Sequence, residues 1–201
     1  DYYRRHHGLF ACTAIFYNHE SPRRAESYVS RKITSSLARI VLGRQDRLRL
    51  GNVEAYRDWG YAPDYMRMLL KMLHQDVPAD YVIATGLLHS VRDFIEVAAS
   101  VLGLSLEWRG RDLDAVALVQ GVNPACLADL LPGATPAVQV GDRIVEVDPQ
   151  FFRPAEKVPL VGDPSAAHAL GWCPQTSFSE MVTEMILHDL HSLAAGRESQ
   201  A

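Results

Sequence analysis

The 201-residue chain is poor in cysteine and has no long apolar run, no excess of positive charge and no Gly-x-Gly-x-x-Gly turn. Its cysteines, Cys12, Cys126 and Cys173, are odd in number, far apart and without a Cys-x-x-Cys pair, which leaves neither a disulfide framework nor a zinc site. A reducing cytoplasm fits that usage. No stretch is long and apolar enough to span a bilayer. The opening Asp1-Tyr2-Tyr3-Arg4-Arg5-His6-His7 lacks the apolar core and small-residue cleavage site of a signal peptide. It also lacks an initiator Met and reads as the polar end of a helix cut through its middle, so the expectation is a fragment. Lys and Arg number 20 against 24 Asp and Glu, a net charge of -4. Non-specific nucleic-acid binding needs a basic face and is not expected. The eight histidines show no His-Glu-x-x-His or comparable ligand spacing, and no metal is proposed.

What is present is the material of a globular α/β core. Apolar residues make up 48% of the chain and charged residues 22%, which excludes disorder and fibrous structure. Against the acidic background one segment stands out: Asn18-His19-Glu20-Ser21-Pro22-Arg23-Arg24, directly after the apolar run Leu9 to Phe16. The run reads as a buried parallel strand. The turn then opens a helix at Pro22, with Val29, Ile33, Leu37 and Ile40 on its inner face and Gly43 near its stop. A strand ending in a cationic turn and a helix start is one way to build an anion site. Two cations at a helix start oppose its dipole, so something anionic should offset them.

Further along, Arg47 to Leu50 alternates like a short edge strand. A helix is expected from Pro63 to about His74, with Tyr65, Met66, Leu69, Leu70 and Leu73 inward. Tyr81 to Gly86 reads as a strand and turn, Ser90 to Asp93 as a capping-box start, and Leu104 to Trp108 as a strand. Residues 110–140 carry no assignable pattern. Val138 to Val147 suggests two strands around Gly141-Asp142. Asp163-Pro164 starts a helix that Gly171 stops, and Ser177 to Glu180 is a capping box opening a last helix through Met181, Met185, Ile186, Leu190 and Leu193. The tail after Ala195 is expected to fray. The methionines at helical spacing, Met66 among them, are read as core, and His188 and His191 as surface.

Several of these segments, taken in order, resemble the C-terminal half of the GDP-mannose 4,6-dehydratases, which are extended short-chain dehydrogenase/reductases. They are Asn18 to Arg24, Val29 to Ile33, Leu50-Gly51-Asn52, Arg57-Asp58-Trp59-Gly60, Asp80 to Gly86, His89 to Arg92, Phe152 to Glu156, Gly162 to Ser165 and Leu170-Gly171-Trp172. The resemblance covers all but roughly residues 110–140, which look longer and more apolar than the family's connection there. It implies the last strands of a Rossmann sheet plus a smaller α/β substrate-binding domain, with an incomplete parallel sheet. It implies an NADP-dependent carbon–oxygen lyase that turns GDP-mannose into GDP-4-keto-6-deoxy-mannose, on the route to GDP-fucose and other deoxyhexoses. The complete protein would be a homo-oligomer, with no nucleic-acid or membrane partner. The family's Gly-rich loop and catalytic Tyr-x-x-x-Lys are expected upstream of Asp1. The chain alone is therefore expected to bind nucleotide sugar without turnover and to be poorly soluble through exposed Leu9 to Phe16.

The resemblance also implies the site residues: His19 and Arg24 at the cofactor, and Asn18, Lys32, Arg57, Arg153 and Glu156 at the substrate. Guanidinium groups suit a diphosphate, and Pro154 holds Arg153 extended. Several have a bland alternative: Arg24 as part of a solvated helix start, Arg153 as a surface ion partner. His19 is a hydrogen-bond hub, and Arg57 is a surface ion partner of Asp58 covering Trp59. Tyr28 and Lys32 match Tyr-x-x-x-Lys, but they fall after the Asn18–Arg24 segment, where the family has an aromatic–Val–Thr–Arg–Lys stretch, so no catalytic role is assigned. Two other functions remain: a non-catalytic nucleotide-sugar-binding module or split subunit needing an N-terminal partner, and a sister GDP-deoxysugar reductase or epimerase.

Overall fold

Helical and alternating spacings of apolar residues set where this chain is helix and where it is strand. In the computed structural model, which describes residues 2–153 and 159–196, helix α1 (Tyr2–His7) leads to strands β1 (Thr13–Phe16) and β2 (Asn18–Glu20). Helix α2 (Val29–Val41) precedes strands β3 (Leu48–Leu50), β4 (Tyr56–Arg57) and β5 (Trp59–Tyr61). Helix α3 (Ala62–Leu73), strands β6 (Asp80–Ile83) and β7 (His89–Ser90) and helix α4 (Val91–Val101) follow. Then come β8 (Leu104–Arg109), β9 (Val116–Val122), α5 (Pro124–Leu130), β10 (Arg143–Val147), α6 (Ser165–Ala169) and α7 (Phe178–Ala194). These elements fall into two compact units. The first takes the chain up to Ser21, Arg57–His89 and Pro159–Met181; the second takes Pro22–Tyr56, the described residues from Ser90 to Arg153, and Val182 onward. Glu156 and the tail beyond Gly196 lie outside the described residues.

In the first unit β1 runs parallel to β6, with Thr13 opposite Asp80 and Phe16 opposite Ile83. After Tyr17, whose N–H still reaches the Ile83 carbonyl, the chain takes a new partner: β2 runs parallel to β5. Tyr65, Met68 and Met72 of α3, Tyr81 and Ile83 of β6, and Ala167 and Trp172 form the core, with Ala14 and Phe16 packed on it. The expected strand Leu9 to Phe16 is thus shorter and less buried than read. The Arg4 guanidinium takes the Ala11 carbonyl, so the ladder begins at Thr13, while Leu9, Phe10 and Ile15 are exposed. Helix α3 also turns differently. Trp172 and β6 cover the face bearing Tyr65, Met68 and Met72, which leaves Met66, Leu70 and Leu73 exposed. Met66 is therefore not core, whereas Met68, Met72, Met181 and Met185 are buried. The Ser177–Glu180 capping box at the start of α7 is present as read. The last-helix residues Met181, Met185, Ile186, Leu190 and Leu193 are all buried.

The second unit is built on a four-stranded sheet of order β3-β10-β9-β8. Strand β10 is parallel to β3 and antiparallel to β9, and β8 is antiparallel to β9. Helix α4, capped by a Ser90–Asp93 box, packs on β8 and on α2. Edge strand β3 is where alternation put it. Residues 110–140, unassigned in the sequence, supply an inner strand, β9, and helix α5. The expected hairpin around Gly141 is not formed. Val138 to Val140 makes no strand, because β9 and β3 occupy both edges of β10 and the Asp142 carboxylate closes the turn on the Gln139 N–H. Among the described residues no helix is long and apolar enough to cross a membrane.

The Arg4 guanidinium, together with hydrogen bonds from Thr13, holds the Asp80 carboxyl down to about 2. A depressed carboxylate stabilises the fold above its ordinary value of 3.8 and loses that contribution as pH falls through about 2. An NMR titration of the Asp80 carboxyl should give the low value, and Asp80→Asn should remove this part of the acid limb of the stability profile.

Candidate functional site

The chain's change of partner at Tyr17 sets Asn18 and His19 just past the point where β1 leaves β6, the kind of place where α/β sheets open a crevice. Asn18 lies opposite Trp59 and His19 opposite Gly60. The His19 ring packs on Phe16 and Tyr65, with centroids 5.0 and 5.6 Å away. Its Nδ1 lies 2.9 Å from the Tyr17 carbonyl, which can only accept, so Nδ1 is the donor of that bond. Beneath it, burial pushes the Tyr65 phenol up, with the Asp58 and Glu20 carboxylates adding to the shift. Gly60 is required here, because a Cβ would come within 2.4 Å of the Tyr65 ring.

Asp58 is not a surface ion partner. It is buried, and its two oxygens accept four hydrogen bonds. Oδ1 takes the Thr85 N–H at 2.9 Å and the Thr85 hydroxyl at 2.6 Å; Oδ2 takes the Gly86 N–H at 2.9 Å and the Gly162 N–H at 3.1 Å. The carboxylate therefore ties the start of β5 to the chain beyond β6 and to the turn before α6, and fixes the backbone that carries half-buried Arg57. Nearby in the same unit is an open cavity of about 370 Å³ walled by Trp59, Thr85, His89, Cys173 and Phe178. The His89 and Phe178 rings stack at 3.9 Å.

The second unit holds Arg24, Lys32 and Arg153. Helix α2 starts at Val29, not Pro22, because the Pro22 and Arg24 carbonyls are taken by the Arg31 guanidinium, at 2.5 and 2.9 Å. Arg23 and Arg24 therefore do not stand at a helix start, and the dipole argument for an anion there falls. Arg24 instead lays its guanidinium over the Tyr28 ring, 3.6 Å from the centroid. Lys32 points elsewhere, its ammonium 4.2 Å from the centroid of Phe151. The Tyr28 and Lys32 side chains thus serve different neighbours. Burial lowers the Lys32 pKa, and Asp148 partly offsets this. Phe151 is set by a turn on Asp148, whose carboxylate accepts from the Gln150 N–H. The turn sits so close to Gly51 that a Cβ there would come within 2.2 Å of the Phe151 carbonyl. Exposed Arg153 follows two residues on.

Sequence reasoning missed Asp58 as a hub and Arg31 altogether. The available signal was the run of small polar residues on α2, Ser30, Thr34, Ser35 and Ser36, all of them buried. Among the described residues no group of three or more His, Cys, Asp or Glu could hold a metal ion. Asp58→Asn sets an amide N–H against backbone donors and should cost about 1–3 kcal/mol in urea unfolding. A lysine whose pKa is lowered by burial is deprotonated earlier as pH rises. Lys32 should therefore react with amine acylating reagents at a lower pH than exposed Lys71, as peptide mass mapping would show.

Comparison with known proteins fits this arrangement. The family model for GDP-mannose 4,6 dehydratase matches residues 1–185. The GDP-mannose 4,6-dehydratase of Vibrio cholerae serotype O1 is 48% identical over 189 residues, covering 94% of this chain and 48% of that protein. GDP-mannose 4,6 dehydratase 2 of Caenorhabditis elegans is 41% identical over 194 residues, covering 96% of this chain and 46% of that protein. The chain thus spans about half the length of the curated relatives it matches. Among solved structures, RMD from Pseudomonas aeruginosa complexed with NADPH has a TM-score of 0.69 at 20% identity, covering 94% of this chain and 52% of that one. That likeness is one of fold, the mixed α/β architecture with parallel strands. By family model and by sequence identity along nearly its whole length, the chain belongs to the GDP-mannose 4,6-dehydratase family.

Proposed function

We propose that this chain is the nucleotide-sugar-holding part of a GDP-mannose 4,6-dehydratase, acting in the conversion of GDP-mannose to GDP-4-keto-6-deoxy-mannose. The observation that carries the reading is the 48% identity to a dehydratase relative, with Asn18–Ser21 and Arg57–Gly60 set at strand ends in the first unit. In that unit Asn18 and Arg57 would meet the diphosphate. In the second, Lys32 and Arg153 would meet the nucleotide. Glu156, outside the described residues, would accept from ribose hydroxyls.

NADP when bound would supply the hydride acceptor and donor. The residues of this chain that fit it are few. With Nδ1 committed to the Tyr17 carbonyl, Nε2 of His19 is left for a hydroxyl of the dinucleotide, and Arg24 suits a phosphate. No Gly-rich phosphate turn occurs in the sequence. The role of these 201 residues is thus to bind and orient, not to move the hydride.

Calorimetric titration with GDP tests the reading. The chain should bind GDP, and Arg57→Ala and Arg153→Ala should each weaken it by about tenfold, the size of a lost charge-assisted pair. Absence of GDP binding, or turnover of GDP-mannose by these residues alone, would refute it.

A further inference from the structure

Arg31 is nearly fully buried, and every donor of its guanidinium that the fold engages has a fixed target. Nε and Nη2 grip the buried Asp189 carboxylate at 2.6–2.9 Å, and the Thr34 hydroxyl donates to the same carboxylate at 2.6 Å. Nη1 holds the Pro22 and Arg24 carbonyls. A buried ion pair is weak evidence for net stability, but the partners it grips are held in a fixed geometry. Here what is defined is the seven-residue stretch from Pro22 to Tyr28. Other bonds on this stretch include the Tyr28 N–H to the Ala25 carbonyl, the Lys32 N–H to the Tyr28 carbonyl, and the pair of Glu26 with Arg39. Arg24 is thus fixed at both ends, its carbonyl by Arg31 and its guanidinium by the Tyr28 ring.

We propose that Arg31 and Asp189 are a buried positioning pair that locks the stretch 22–28, so that Arg24 is presented already ordered to a phosphate-bearing dinucleotide. The inference rests on the reading of Arg24 as a cofactor contact, but the locking itself does not. Lysine cannot reproduce it. A point ammonium cannot grip both carboxylate oxygens and two carbonyls in one plane.

Hydrogen exchange and calorimetry on the chain separate the two parts. In Arg31→Lys and Asp189→Asn, the Tyr28 amide should exchange about tenfold faster relative to amides in the middle of α4. Affinity for NADP should fall about tenfold while affinity for GDP stays within about twofold. Arg24→Ala keeps its carbonyl, so it should lose NADP while leaving exchange at Tyr28 unchanged. Unchanged exchange in both pair variants would overturn the proposal. So would a Tyr28 amide in the unmutated chain that exchanges as fast as unstructured peptide, a result that needs no variant to fold. If the unmutated chain binds no NADP but the pair variants loosen Tyr28, the locking stands and the cofactor reading of Arg24 fails.

Discussion

A carboxylate taken out of water must find its full set of donors, and this constraint organises both units. Asp58, Asp64 and Asp189 are all buried. Asp58 draws in Thr85, Gly86 and Gly162. Asp64 accepts the Gln175 and Thr176 N–H groups at 3.0 and 2.9 Å, while its own carbonyl takes the Trp172 indole N–H. Asp189 holds Arg31 and Thr34. Apart from Arg67, which pairs with Asp64 from one turn away, these donors come from chain segments distant in sequence, so a single acidic side chain decides which loops lie side by side.

The loops fixed in this way are the ones that carry the candidate ligand residues. Arg57 precedes Asp58 directly, and Arg24 is tied through Arg31 to Asp189. Neither arginine sits in the middle of a long helix or strand that would orient it unaided. The order of the site is therefore borrowed from the buried acids beneath it. This also explains why small residues gather there. Gly60 lets Tyr65 approach, and Gly51 lets the Phe151 turn approach, each at a distance that a methyl group would prevent.

Local signals were legible wherever a short segment decides its own conformation. The capping boxes at Ser90 and Ser177, the edge strand at Leu48–Leu50 and the apolar face of α7 were all readable, because spacing of 2 or 3.6 residues and a nearby cap suffice. What could not be read was decided at long range. The start of α2 moved from Pro22 to Val29 because a residue within the helix itself takes the carbonyls an earlier start would use. The inner face of α3 was misjudged because Trp172, about a hundred residues later, chooses it. Strand β9 looks unpatterned in sequence because its run, Val-Ala-Leu-Val-Gln-Gly-Val from Val116 to Val122, carries little alternation. Asp58 beside Arg57 looked like an ion pair for the same reason: its true partners are far along the chain.

The interleaving of segments has a consequence for synthesis. The stretch from Pro159 to Gly196 contributes to both units, and α7 begins in one and continues in the other. Arg31 waits for a partner 158 positions downstream. Neither unit is complete while that stretch is still inside the exit tunnel. Until it emerges, the nascent chain carries acids without their buried partners and two incomplete cores, so a stall before it leaves both units unfinished rather than one folded and one absent.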